Sequence, residues 1–332
     1  MRASEVVRRA ERLSRDSYGV VTAGDLRLAG VDRKVVERLV RNGRWTRLWR
    51  GTYLVDGHQP GPLVMAHAAV KHAAPASGTD LPLPVVTGLA GARAVRMRWV
   101  PSGARVQVLV SKDVRRLSNE HVLVRRAHDL AEVPTWQWGG LAVAEPARLV
   151  VDGARECRTL RDVRGLVLGA VADRLTSAAQ VLEVLQQGAV GGTAWCRRAA
   201  RDAADGAASP PEAELADDLR GCGHPFYLNP DVHVQGRFVG RFDVYLVGTG
   251  VGGEVDSRER HEEADLLDQT LLRHQRAHAF GISLLHVTPT RFRADPAAFT
   301  AGLLAEVAQR RRRDGASRTA WSSRRAVRCC TE

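Results

Sequence analysis

The stretch GRFDVYLVGTGVGGEVDS, residues 240–257, constrains the fold more than any other in the chain. Strand-favouring runs flank Gly248-Thr249 and predict a hairpin. A glycine at the first central position suits a two-residue type II′ turn. That turn pairs Val247 with Gly250, and the same register sets Asp243 opposite Glu254, about 5 Å apart on one face. Val244, Leu246, Val251 and Val255 imply that the other face is buried. Two carboxylates so close repel each other unless a proton or a cation intervenes. Hard divalent cations with oxygen ligands, Mg2+ above all, suit such a site. Glu212, early in the preceding helix, is the candidate third oxygen ligand. A cation held there would polarise a phosphodiester and activate a water. The alternative is a solvent-facing hairpin with two ordinary acids.

The surroundings of the hairpin predict a domain over 209–307. PEAELADDLRGCG (211–223) is a helix with a glycine stop, and PFYLNPDVHV (225–234) a strand broken by Pro230. After the hairpin strands, RERHEEADLLDQTLLRHQRAHAFG (258–281) is a long helix ending at Gly281, and ISLLHVTP (282–289) a buried strand. The order is αβββαβ. Residues 188–208, rich in Gly and Ala before Ser-Pro-Pro, form a linker. Residues 308–332 lack an apolar period and are expected to be a disordered basic tail.

The N-terminal segment, 1–57, predicts a winged helix-turn-helix. Thr22 caps a helix through Leu28, and Gly30 ends it. Asp32 caps a second helix, with Val35, Val36, Leu39 and Val40 at helical spacing on its buried face, closed by Gly43. WTRLWRGTYLV (45–55) is a hairpin turning at Arg50-Gly51. Helix, turn, helix and β-ribbon is the winged order. Arg33, Lys34, Arg38 and Arg41 lie off the buried face, and Arg44, Arg47 and Arg50 lie on the wing. All seven are candidates for phosphates and base edges of double-stranded DNA.

Charge agrees with that placement. The chain of 332 residues has a formal net charge of +12. Residues 1–55 hold 13 basic and 6 acidic side chains, residues 308–332 hold 8 and 2, and the remainder sums to −1. A near-neutral body with basic ends points to a polyanionic partner, and nucleic acid is the first candidate. No apolar run approaches the ~20 residues of a membrane span, and the charged N-terminus has no signal-peptide core; a cytoplasmic location with no membrane partner is expected. Five cysteines without CxxC spacing indicate neither a disulfide framework nor a zinc site. His274 and His278 share a helix face but have no evident further zinc ligands.

Residues 58–187 read as a mixed α/β domain. RVQVLVSKD (105–113) and HVLVRRA (121–127) are strands, and 145–156 with most of 160–187 is helical. His67, His72 and Asp152 are expected to be structural. VVTGLAGARAV (85–95), followed by two strands and AVAEPARLVVD (142–152), resembles the domain that follows the winged helix in AbiEi-family antitoxins. There a "Gly-Leu" helix precedes two strands and a T-x-P-A-R-T-x-x-D stretch, whose threonines are replaced here by Ala144 and Leu149. The resemblance covers about residues 4–187. It implies a bacterial, DNA-binding autorepressor with a cognate toxin as partner.

SPPEAE, GRFD, GEVDSRERH, TLLRH and LLHVTP, in that order over about 209–295, resemble the PD-(D/E)XK restriction-endonuclease fold, in its very-short-patch-repair-endonuclease-like branch. That resemblance implies a catalytic set of Asp243, Glu254, Asp256, Glu212 and His261, a Mg2+ cofactor, and DNA contacts from Arg273 and His274. The superfamily's catalytic lysine would stand at Asp256, where the branch usually has an aspartate. The positive group would come from Arg258, Arg241, Arg273 or a protonated His261, or Asp256 is a further metal ligand, or the fold is an inactive nuclease kept for DNA binding. Two functions follow: a Mg2+-dependent DNA endonuclease targeted by a winged helix, or a non-enzymatic AbiEi-type antitoxin and repressor with a degenerate nuclease fold.

Overall fold

The computed structural model describes residues 3–55, 58–75, 79–103, 105–187, 191–255, 263–316 and 327–330, with backbone alone at 3–4, 263–270, 314–316 and 327–330. The fold is mixed α/β, as expected from the sequence. Contacts divide it into two compact units, residues 1–197 and 198–332.

The first unit begins with α1 (Ala3–Ser14), β1 (Val20–Thr22), α2 (Ala23–Leu28), α3 (Arg33–Arg41), β2 (Thr46–Trp49) and β3 (Thr52–Leu54). Local chemistry fixes each boundary. Thr22 Oγ1 accepts the Asp25 N–H at 3.1 Å, and Asp25 Oδ2 accepts the Thr22 N–H at 3.0 Å, closing a capping box on α2. Asp32 Oδ1 accepts the Lys34 N–H at 2.7 Å and starts α3. Gly51, at φ +77°, turns the wing. The sheet order is β1-β3-β2, all antiparallel. Val21, Leu26, Val31, Val36, Leu39, Trp45 and Val55 pack with Val6, Val7 and Ala10 of α1 into one core. Val35 and Val40 lie only partly buried at its edge. Trp45 is 2% exposed, and truncating so large a buried side chain costs about 3–5 kcal/mol. This is a winged helix-turn-helix.

The same unit continues through α4 (Pro62–Ala73), β4 (Val85–Thr87), α5 (Gly88–Ala94), β5 (Val106–Ser111), β6 (Val122–Ala127), β7 (Thr135–Trp138), β8 (Leu141–Ala144), α6 (Pro146–Ala154), α7 (Leu160–Ala172) and α8 (Ala178–Gln187). Its mixed sheet has the order β6-β5-β4-β8-β7. Asp152 is fully buried, accepts from Thr87 Oγ1 at 2.9 Å and Arg148 Nε at 2.8 Å, and ties α6 to the sheet. His67 Nε2 lies 2.8 Å from the Gly139 carbonyl. The winged helix is held to this sheet domain by Lys71–Asp25 at 3.1 Å and by Trp49 stacked on His121, ring centroids 5.4 Å apart.

A helix, α9 (Ala194–Ala204), occupies part of the expected linker and spans the boundary between the units. The second unit follows with α10 (Pro210–Gly221), β9 (Phe226–Leu228), β10 (Asp231–Val234), β11 (Arg237–Arg241), β12 (Val244–Leu246), β13 (Val251–Val255), α11 (Glu263–Ala279), β14 (Ser283–Val287), α12 (Pro289–Ala294), α13 (Pro296–Ala316) and β15 (Val327–Cys330). Two expectations need correction. α13 runs to Ala316, and β15 pairs with β10, so the tail is not wholly without regular structure. The strands expected at 225–234 and 240–247 each divide in two, giving one sheet of order β14-β13-β12-β9 and a second of order β11-β10-β15.

The division has a physical cause. Val244 pairs with Leu228 and Asp231 with Arg241, so β9–β10 and β11–β12 form one long antiparallel hairpin whose register runs on across the bend and shifts once, at a bulge between Val232 and His233. The hairpin bends where Pro230 has no N–H to give the ladder. At the bend the Asn229 N–H donates to the Asp243 carbonyl at 3.0 Å, and the Phe242 N–H to that of Pro230 at 3.3 Å. Gln235 and Gly236, at φ +53° and +75°, make the two-residue turn at its tip. Phe242 and Tyr245 pack with Val232, Val234, Val239, Ala277, Ile282 and Leu284 beneath α11. Phe299 and Leu303 of α13 press on the other face of β13 at Gly253.

Candidate functional site: a basic winged helix and an acidic strand pair

On the winged helix, the pattern that buries Val36 and Leu39 turns the intervening positions outward. Arg33, Lys34, Arg38 and Arg41 of α3 are all exposed, as are Arg44, Arg47 and Arg50 of the wing. Arg33 Nε reaches Glu37 Oε1 at 2.8 Å, but its side chain stays 89% exposed. That ion pair raises the Arg33 pKa from its ordinary value, chiefly through the Glu37 hydrogen bond. Arg47 lies over the Tyr53 ring, 5.9 Å from its centroid, a cation–π contact that stiffens the wing. The residues that sequence spacing assigned to DNA are thus all exposed cations.

In the second unit, β12 and β13 pair with Val244 opposite Gly253, Tyr245 opposite Gly252 and Leu246 opposite Val251. Continuing that register by one residue sets Asp243 opposite Glu254, the arrangement read from the sequence. The turn differs. Thr249 N–H donates to the Leu246 carbonyl at 3.3 Å, and both Gly248 and Gly250 take positive φ, giving a four-residue loop over 247–250. Two-residue and four-residue loops have the same parity, so the register survives. Asp243 Oδ2 accepts the Val255 N–H at 2.7 Å. Glu254 is 4% exposed and points toward α11. There Arg273 Nη1 donates to both its oxygens, at 2.9 and 3.1 Å. His286, opposite Glu254 on the parallel neighbour β14, brings Nδ1 to 3.6 Å from Oε2. His274 stacks on His286 with centroids 4.0 Å apart.

This geometry changes several assignments. Arg273, expected on DNA, serves as the counter-ion of Glu254 while remaining 40% exposed. His274 is engaged with His286 rather than presented alone. Glu212 is 7% exposed and accepts from the Ala208 N–H at 2.8 Å, Ser209 Oγ at 2.6 Å and Asn229 Nδ2. It braces the N-terminus of α10 against the bend. Asp256, Arg258 and His261 lie outside the described residues. Among the described residues no group of three or more His, Cys, Asp or Glu side chains is arranged to hold a metal ion. Arg273 Nη1 already holds both oxygens of Glu254, and Glu212 accepts three hydrogen bonds of its own. A Mg2+ shared by Asp243 and Glu254 would require Arg273 to release Glu254. His286 is a member of this cluster that local sequence does not signal; only knowledge that β14 lies parallel to β13 places it.

Residues 8–55, the winged helix, match the family model described as transcriptional regulator, AbiEi antitoxin. The crystal structure of RV2827C protein from Mycobacterium tuberculosis is similar at 22% identity and a TM-score of 0.41, over 64% of this chain and 79% of that chain. Curated proteins give no match. No helix among the described residues is long and apolar enough to cross a membrane. The N-terminal resemblance is thus borne out for the helix-turn-helix, which is of the AbiEi antitoxin type.

Proposed function

We propose that this chain is a transcriptional regulator of the AbiEi antitoxin type that binds double-stranded DNA through α3 and the β2–β3 wing. One observation carries the reading: all seven basic side chains of α3 and the wing are exposed, while the apolar residues between them fill the core. Seven cations against the single acid Glu37 over residues 33–50 make a surface for phosphates, with α3 shaped to enter a major groove. A cognate toxin is the second partner this reading implies. The test is duplex binding by fluorescence anisotropy at several salt concentrations. Each phosphate contact contributes about −0.9 to the slope of log K against log salt. Arg38→Ala with Arg41→Ala should weaken binding and make the slope shallower by about 2. An unchanged slope would move the DNA surface elsewhere.

A Mg2+-dependent DNA endonuclease is the second reading, favoured by Asp243 facing Glu254 in register. It requires Arg273 to leave Glu254. Plasmid incubated with Mg2+ or Mn2+ tests it: cleavage by the wild-type chain and none by Asp243→Ala supports an enzyme. Duplex binding without cleavage by either leaves the regulator.

A further inference from the structure

The second unit carries a surface that the duplex-binding reading does not use and from which the nuclease reading takes only Arg241 and Arg273. Between the edge strand β11 and α11 runs a groove of about 420 Å3, lined by Phe238, Val239, Arg241, Leu272, Arg273 and Arg276. A second depression, of about 540 Å3, includes Tyr227, Asn229, Arg220 and Arg241 in its walls. Arg241 lines both, so the two meet at its side chain. Phe238 of β11 is 49% exposed, Leu272 of α11 60% and Tyr227 of β9 42%, large apolar side chains displayed around the two depressions.

Charge selects the occupant. Arg241 Nε donates to the Asn229 carbonyl at 3.1 Å and lies 3.9 Å from Asp231 Oδ1, a loose ion pair that leaves the side chain 63% exposed. Arg276 is exposed, and so is Arg237 at the start of the same edge strand. Arg220 is already paired with Asp205 at 2.7 Å and Asp217 at 3.4 Å, so it adds little net charge. Among the described residues no carboxylate lines the β11–α11 groove. Aromatic faces interleaved with arginines are what a single nucleic-acid strand needs, with stacking for the bases and cations for the backbone. A duplex keeps its bases stacked inside and cannot lay one on Phe238 or Tyr227.

We infer that this channel, from Tyr227 past Arg241 to Phe238 and Arg276, binds a single-stranded nucleic acid, independently of duplex binding by the winged helix. The test uses the full chain and fluorescein-labelled oligo-dT and oligo-rU of about 12 nucleotides, within the range one such site covers. Phe238→Ala should weaken strand binding about tenfold, the loss expected for one stacked base, and Arg241→Gln should weaken it and make its salt dependence shallower. Both should leave duplex binding unchanged. Phe238→Trp keeps a ring and should restore binding, which separates stacking from loss of fold. Arg38→Ala with Arg41→Ala should do the reverse, losing duplex and keeping the single strand. Tighter binding of dT or of rU identifies the strand as DNA or RNA. The inference fails if neither oligonucleotide binds, if Phe238→Ala and Arg241→Gln bind as the wild type does, or if the winged-helix variant loses the single strand equally.

Discussion

Replacing Arg273 by glutamine decides what Glu254 is for. Glu254 is 4% exposed on the central strand β13, with both oxygens on Arg273 Nη1 at 2.9 and 3.1 Å. Removing one partner of a buried pair costs about 3–5 kcal/mol, because the other charge is left uncompensated. Arg273 is 40% exposed, so water already screens part of the attraction and the expected cost falls to about 2 kcal/mol. Glutamine removes the charge but keeps most of the stem that packs along α11. Glu254→Gln alone should cost less, and in the double variant the two losses should overlap, with a coupling of about 1–2 kcal/mol. Amide hydrogen exchange on peptides spanning β13 and β14 reports local opening. At 1.4 kcal/mol per tenfold, Arg273→Gln should exchange about thirtyfold faster there. The opposing hypothesis makes a distinct forecast. If Asp243 and Glu254 held Mg2+, a concentration of 100 Kd would stabilise the wild type by about 2.7 kcal/mol, and Arg273 would be a bystander. Wild-type exchange rates in Arg273→Gln, together with Mg2+ slowing exchange in the wild type, would refute the ion-pair account.

Other variants probe the frame that holds the two surfaces. Thr22→Ala removes the α2 cap and should cost about 1 kcal/mol, read as a lower thermal midpoint of the first unit. Asp25→Ala should cost more, since it also breaks the Lys71 pair. Gly253→Ala would bring a Cβ to 3.1 Å from Val244 Cγ1 and 3.2 Å from both Leu303 and Phe299; overpacking of this kind costs about 1–3 kcal/mol, visible as faster exchange in the second unit with the first unaffected. Burial holds the His67 pKa below its ordinary 6.5. The folded state therefore resists protonation, and stability is whole above pH 6.5 and declines as pH falls through it. His67→Asn should lower the thermal midpoint at neutral pH yet flatten its fall below about pH 6.

The winged helix was legible almost residue by residue, because its signals are local. Thr22, Asp32 and Gly51 each act within a few positions of themselves, through a cap or a positive φ. The spacing of Val36 and Leu39 sorts exposed arginines from core without knowledge of any distant segment. The second unit was legible only where the same condition holds. The register of Asp243 with Glu254 follows from the loop between them. The bend that splits β9 from β10 and β11 from β12 does not. Phe242, Val244, Tyr245 and Leu246 are all buried, so the run has no alternation to reveal where the chain leaves one sheet for the other. Pro230 marks one side of that bend, but its opposite side is found only by following the hairpin register across.

The surroundings of Glu254 lay out of reach for a related reason, and they decide how the hairpin should be understood. Sequence presents a carboxylate pair and asks what neutralises it. A divalent cation is one solution, and a positive side chain is another that costs no external ligand. Arg273 stands 19 residues away on a helix and His286 comes from a parallel strand, so neither enters a local reading, and the cation is the solution that local pattern suggests. The arginine solution leaves a strong requirement of its own. A buried carboxylate held by a half-exposed guanidinium ties the floor of the β11–α11 groove to the centre of the sheet, since Arg273 lines that groove as it grips Glu254. A phosphate entering the groove would compete with Glu254 for the same guanidinium. Strand binding and the stability of β13 should therefore be coupled, and occupancy by a single strand should speed exchange at Glu254 and Val255 while slowing it along β11. Uniform slowing across both strands would show that Arg273 stays on Glu254 when the groove is filled.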